Sequence, residues 1–208
     1  MKNPFNSITD KQKDKLLKSL EAVTLNIKKN TSLLSSIKND NFIAIILEGR
    51  IQIIKTDYNG SRTIIEELKE NGMFGTKISS LSNQEYDVIT KEDTKIIMID
   101  YERIINCDNQ TSYYNQFIKN ILEIIISITN EKNNRIEILT KKTIRNKLLE
   151  YFSIISKTNK SKNIYLTSTL TDLADYLAID RCAMMRELKY LKEEGFIEVK
   201  NKKITLLY

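Results

Sequence analysis

The chain has 208 residues, with 33 lysines and arginines against 27 aspartates and glutamates, two cysteines and no histidine. The absence of histidine excludes Ser-His-Asp and Cys-His catalysis, His-ligated zinc and His-ligated haem. The net charge of +6 is unevenly placed: residues 1–140 carry 19 basic and 19 acidic side chains, residues 141–208 carry 14 and 8, so the whole excess falls in the last third. A neutral part joined to a part suited to a polyanion is the pattern this implies.

The start, Met1-Lys2-Asn3-Pro4-Phe5, lacks the apolar run of a signal peptide. Leu16, Leu17, Leu20 and Val23 recur at helical spacing behind Thr9 and Asp10, two candidate cap residues, and predict a helix. From Phe42 the period changes. Residues 42–47 and 51–54 read as strands on either side of Gly49, and Asp57-Tyr58-Asn59-Gly60 reads as a hairpin turn. Residues 63–65 continue as strand, Gly72-Met73-Phe74-Gly75 reads as a glycine-bounded loop, and residues 87–90 and 94–99 give two more strands. Short strands at this spacing predict an antiparallel β roll or barrel over about residues 20–100, within a first domain, 1–108.

Residues 109–140 predict a long helix. Phe117, Ile121, Ile124 and Ile128 step by 4, 3 and 4, the spacing of a coiled-coil seam, and Leu122, Ile125 and Ile126 widen the apolar surface. A helix greasy on several faces must bury more than one. The simplest arrangement sets one face on the roll and another on a second copy, with Phe117, Ile121, Ile124 and Ile128 as the dimer seam; a central helix within a monomer is the alternative. Lys119, Asn120, Glu123 and Ser127 make the segment too polar to span a bilayer. A cytoplasmic protein with reduced thiols and no membrane partner is expected, since Cys107 and Cys182 support neither a disulfide framework nor a four-thiolate site.

Residues 141–208 form a third region. Ile144, Leu148, Leu149 and Phe152 mark a helix, ended by a polar loop at residues 157–163. Thr169 with Asp172 resembles a capping box, Leu173, Ala174 and Leu177 give one apolar face, Asp180 caps a second helix, Met184, Leu188 and Leu191 are its buried stripe, and Gly195 ends it. This is helix-turn-helix spacing. Arg181 falls in the first turn, and Arg186 and Lys189 lie on faces away from the buried stripe, where a recognition helix needs donors for base edges. Ile197 and Val199 pair with Ile204 and Leu206 across a turn carrying Lys200, Lys202 and Lys203, a wing suited to phosphate. A small helical domain with solvated lysines is the competing reading.

With these residues in place, nearly the whole chain resembles the Crp/Fnr family of bacterial transcription factors. The segment from Asp172 to Ile197 carries the closest match, and Leu47 to Ile51, Gly60 to Arg62 and Gly72 to Gly75 add to it in the expected order. The resemblance implies an α+β architecture: an N-terminal antiparallel roll of the cyclic-nucleotide-binding type, a long dimerisation helix and a C-terminal winged helix-turn-helix. It implies a homodimer that binds a pseudo-palindrome in double-stranded DNA, with RNA polymerase and a small effector as further partners. Arg181, Arg186 and Lys189 would read bases beside Cys182, while Thr169, Thr171, Lys202 and Lys203 would hold the backbone.

The departures from the family pattern also inform. Thr76 follows Gly75 where nucleotide-binding members have glutamate, and Gln84-Glu85-Tyr86-Asp87 supplies no arginine, so cyclic AMP is disfavoured. Gly75, Thr76 and Tyr86 remain the candidate effector residues, with the effector and any cofactor unknown. Cys182 stands where glutamate is usual, and Ala178 and Asp180 where glycine and serine are usual, so neither the family's half-site nor its phosphate contact at Asp180 is carried over. Cys182 on the DNA face reads as a small tolerated residue before it reads as a redox or nitrosation switch, and Cys107 as a buried thiol. A haem or thiol sensor of redox or nitrosative stress, and a protein-interaction module that does not bind DNA, are the alternatives. No metal site and no constellation for an enzyme is visible.

Overall fold

In the computed structural model, residues 2–34, 41–76, 78–79, 81, 85–106, 111–166, 169–200 and 203–208 are described. They fall into two units, Met1–Ile125 and Ile126–Tyr208.

In the first unit, Thr9 caps helix α1 (Asp10–Ser19): its hydroxyl accepts from the Gln12 backbone N–H, and the Gln12 amide oxygen accepts from the Thr9 N–H at 3.0 Å. The helix ends sooner than its apolar spacing suggests. Glu21 takes a left-handed φ of +48°, and Val23, expected on the helix, instead opens strand β1 (Val23–Ile27). Six further strands follow: β2 (Phe42–Glu48), β3 (Arg50–Thr56), β4 (Arg62–Lys69), β5 (Met73–Gly75), β6 (Tyr86–Thr90) and β7 (Thr94–Asp100). They form two antiparallel sheets, β1-β7-β2-β5 and β4-β3-β6. The expected strands are present. The glycine-bounded loop is not: Met73, Phe74 and Gly75 pair with Ile45, Ala44 and Ile43 as β5. The β3–β4 turn forms at the expected Asn-Gly, with Gly60 at φ +80°.

Alternation explains where the core sits. Phe42, Ala44 and Ile46 of β2 share a face with Phe74 and Ile96, and these pack with Ile51, Ile53, Leu68 and Val88 of the other sheet. The opposite face of the first sheet is also buried, through Ile43, Ile45, Ile97 and Ile99. Leu16, Leu20, Ile104, Phe117, Ile121 and Ile124, the buried helical side chains of this unit, are the apolar surface available to cover it. They come from α1, from α2 (Tyr101–Ile105) and from α3 (Ser112–Leu139).

The second unit begins within α3. Helix α4 (Ile144–Asn159) is capped by Thr143 and stops at Lys160 in the left-handed region. It continues to Asn159, into the expected polar loop, and a strand not expected from the sequence follows, β8 (Asn163–Tyr165). Then come α5 (Leu170–Leu177), α6 (Arg181–Glu193), β9 (Ile197–Lys200) and β10 (Lys203–Leu206). The last two pair as expected, Val199 with Ile204 and Ile197 with Leu206, and β8 joins to give the order β8-β10-β9. One core serves the unit: Ile138 of α3, Leu148 and Phe152 of α4, Ile164 of β8, Leu173, Ala174 and Leu177 of α5, Met184, Leu188 and Leu191 of α6, and the inward wing residues.

Candidate nucleic-acid interface, dimer face and effector region

The α5–α6 pair is set by local chemistry. The Asp172 carboxylate accepts from the Thr169 N–H at 2.9 Å and from its hydroxyl at 2.7 Å, while the Thr169 oxygen accepts from the Asp172 N–H at 3.1 Å. The capping box is therefore complete with aspartate in place of glutamate. The Thr169 hydroxyl holds the Asp172 carboxyl below the usual carboxylate range. Ala178 closes α5 at φ +50°, and Lys147 of α4 donates to the Leu177 carbonyl at 3.1 Å. Asp180 caps α6 by accepting from the Ala183 N–H at 2.8 Å.

On α6, Met184 and Leu191 are fully buried and Leu188 nearly so, which fixes the opposite face outward. Cys182, Arg186 and Lys189 recur at i, i+4 and i+7 on that face, and Arg181 opens the helix beside them; all four are exposed. Lys189 pairs with Glu193 at 3.7 Å in an exposed contact worth at most about 1 kcal/mol, which a phosphate would readily displace. The other acidic side chain of α6, Glu187, is held at 3.5 Å by Arg145 of α4, which also pairs with the C-cap residue Glu194, whose carboxyl its guanidinium keeps below the usual range. Met185 and Tyr190 are exposed on α6 too, off the Met184–Leu188–Leu191 stripe. Thr169 and Thr171 are exposed at the start of α5, Thr169 being engaged in its cap. Lys203 is half-buried on β10, and Lys202 lies outside the described residues. Cys107 lies outside them as well, whereas Cys182 is a free, exposed thiol.

The long helix divides its apolar residues differently from the expected seam. Phe117, Ile121 and Ile124 are buried in their own unit, and Ile128 is half-buried. Phe5 stacks on Phe117 at 5.5 Å between centroids, and buried Asn120 donates to the carbonyls of Pro4 and Asn6. The exposed apolar side chains are Leu122, Ile125, Ile126 and Ile136. Ile118, Leu122, Ile125, Thr129, Lys132 and Ile136 follow the same 4-3 rhythm, one residue out of phase with the expected seam.

In the roll, Gly75 and Thr76 are used to hold β5 against β2. A Cβ on Gly75 would lie 2.2 Å from the Phe42 carbonyl oxygen, and the Thr76 hydroxyl accepts from the Phe42 N–H at 3.3 Å. Tyr86 is on the other sheet, half-buried, with the Lys55 ammonium 6.0 Å from its ring centre. Beside it, Glu85 pairs with Lys55 at 3.5 Å, and Asp87 accepts from the Ser32 hydroxyl at 2.7 Å and the Val88 N–H at 2.8 Å. Carboxylates therefore flank Tyr86, and Gln84 lies outside the described residues. Among the described residues no group of three or more acidic or thiol side chains is placed to hold a metal, and no helix is long and apolar enough to cross a membrane.

Residues 24–110 match the model of the cyclic nucleotide-binding domain. No curated protein sequence matches the chain. Solved structures do. CprK complexed with OCPA is similar at 14% identity, over 94% of this chain and 92% of that one, with a TM-score of 0.61. A mutant of CooA from Carboxydothermus hydrogenoformans is similar at 17% identity, over 93% and 86%, with a TM-score of 0.56. The catabolite activator protein of Thermus thermophilus is similar at 13% identity, over 98% and 92%, with a TM-score of 0.51. The roll is thus similar to a cyclic nucleotide-binding domain, and the chain is similar in fold to these three proteins.

Proposed function

We propose that this chain is a transcription regulator of the Crp/Fnr type, a cytoplasmic homodimer that binds a pseudo-palindromic site in double-stranded DNA. The observation that carries the reading is α6: its apolar stripe is held by the unit's core, and Arg181, Arg186 and Lys189 are left exposed with Cys182 on the outward side. Arginine pairs bidentately with guanine O6 and N7, a contact worth about 1–3 kcal/mol of base discrimination. Thr169, Thr171, Lys202 and Lys203 hold the backbone. Two heads related by a dimer axis read half-sites about one helical turn apart, roughly 10–10.5 bp.

The dimer forms through the exposed stripe of α3, Leu122, Ile125, Ile126 and Ile136, because Phe117, Ile121 and Ile124 are already engaged within the protomer. RNA polymerase is the downstream partner. The effector acts through the roll and is not cyclic AMP: Glu85 and Asp87 beside Tyr86 would repel its phosphate, and the sequence offers no arginine there.

Binding selected and scrambled duplexes tests the reading. Arg186→Ala is expected to flatten the preference between them, whereas Lys203→Ala weakens both alike and shallows the log K against log salt slope by about two units, one for each protomer. Equal wild-type affinity for both duplexes would refute sequence-specific regulation.

A further inference from the structure

The outward face of the wing sheet carries a feature that the recognition helix does not explain. In the order β8-β10-β9, Tyr165 is the direct cross-strand partner of Lys203, which is in turn the partner of Lys200. Directly opposed residues share a face of the sheet. Ile164, Ile204 and Val199, one position along each strand, point the other way, into or against the core. The three side chains therefore form a row across the outer face, at the end of the sheet where β9 finishes and β10 begins.

Tyr165 is 67% exposed, among the most exposed large side chains of this unit, and the Lys203 ammonium stands 5.9 Å from its ring centre. Burial in the protein does not account for an aromatic ring held this far open. The ring also lies directly across the ladder from Lys203, a group proposed to hold the DNA backbone. Asn163, Thr205 and the exposed Glu198 form the next row of the outer face, with a hydrogen bond of 3.0 Å from the Thr205 hydroxyl to Asn163.

We infer that Tyr165 is a DNA-contacting residue whose ring packs on the sugar–phosphate edge of the duplex, beside the site read by α6, while Lys200 and Lys203 on its flank engage the adjoining phosphates. The proposal rests on the DNA-binding reading and adds a contact made by shape and apolar surface to that reading's charges. A flat ring against deoxyribose carries no base information, so the contact strengthens binding without altering sequence preference.

The test is fluorescence anisotropy of the full-length dimer on selected and scrambled duplexes, for wild type, Tyr165→Ala and Tyr165→Phe, with melting curves alongside. An aromatic contact at the low end of measured nucleic-acid stacking predicts that Tyr165→Ala weakens both duplexes about thirtyfold, roughly fivefold for each of the two protomers. The ratio between duplexes and the salt slope stay at wild-type values because no charge is removed, and Tyr165→Phe keeps the wild-type affinity. The high exposure of Tyr165 predicts an unchanged melting midpoint. Wild-type affinity in Tyr165→Ala overturns this inference alone, and so does a Tyr165→Phe variant as weak as the alanine one. A wild-type protein that binds neither duplex overturns the functional reading with it.

Discussion

At the scale of single residues, the turn of the helix-turn-helix shows a sequence departure with a structural cost. Ala178 sits at φ +50°, ψ +58°, the left-handed region in which an L side chain crowds the following carbonyl and glycine does not. The cap is used fully, since the Ala178 N–H donates to the Asp175 carbonyl and the Ile179 N–H to that of Ala174. The strained backbone is thus held by hydrogen bonds on both sides. Ala178→Gly removes the crowding and adds some unfolded-state entropy, and the balance is expected to favour the variant by about 0.5–1 kcal/mol. Urea unfolding checks this: the midpoint should rise with the slope unchanged, and a lower midpoint would show that the Ala178 methyl makes a packing contribution greater than its strain.

At the scale of the element, α3 shows both how far the sequence could be read and where it stopped. The helix itself, the caps at Thr169 and Asp180 and the pairing of β9 with β10 were legible because each is written in residues a few positions apart. The face of α3 turned inward was not. Phe117, Ile121 and Ile124 and the set one residue away follow the same rhythm, and periodicity cannot tell which of two apolar stripes meets the protein's own chain. Tertiary contacts with Phe5, Pro4 and Asn6, more than 100 residues distant, decide it. β1 and β5 were missed for a related reason: each is short and becomes a strand only by pairing with β7 or β2. The two stripes can be separated experimentally. Ile121→Ala, which empties a buried site, is expected to cost about 2–5 kcal/mol in unfolding free energy. Ile125→Glu on the exposed stripe should leave the thermal midpoint of the protomer nearly intact and instead yield monomers by light scattering. A dimer that survives Ile125→Glu would place the contact between copies elsewhere.

At the scale of the whole molecule, the charge pattern and the missing histidines have a joint consequence. The ion pairs that shift titration do so at the extremes of pH. The Lys28 ammonium holds the Asp93 carboxyl below its ordinary range, Lys2 does the same for Glu123, the Thr169 hydroxyl for Asp172 and Arg145 for Glu194. A carboxyl whose value is depressed by folding stabilises above its unfolded value, near pH 4, and that contribution is lost as pH falls through the lower folded value. Hydrogen bonds from Lys28 to Asp93 and from Lys141 to Glu150 raise the two lysines. Their contribution is present below about pH 10.4 and is lost as pH rises through the higher folded value. Between these limits histidine is the side chain that ordinarily titrates, and this sequence has none. Stability is therefore expected to be flat from about pH 5.5 to 8 and to fall on the acid side only once carboxylates protonate. The proposed DNA affinity should be equally flat over that window at fixed ionic strength, because the sequence holds no histidine to change charge there. Thermal midpoints and anisotropy at half-unit pH steps test both expectations. A midpoint or an affinity that moves steadily with pH inside the window would show that a thiol or a backbone amine titrates in a place that matters.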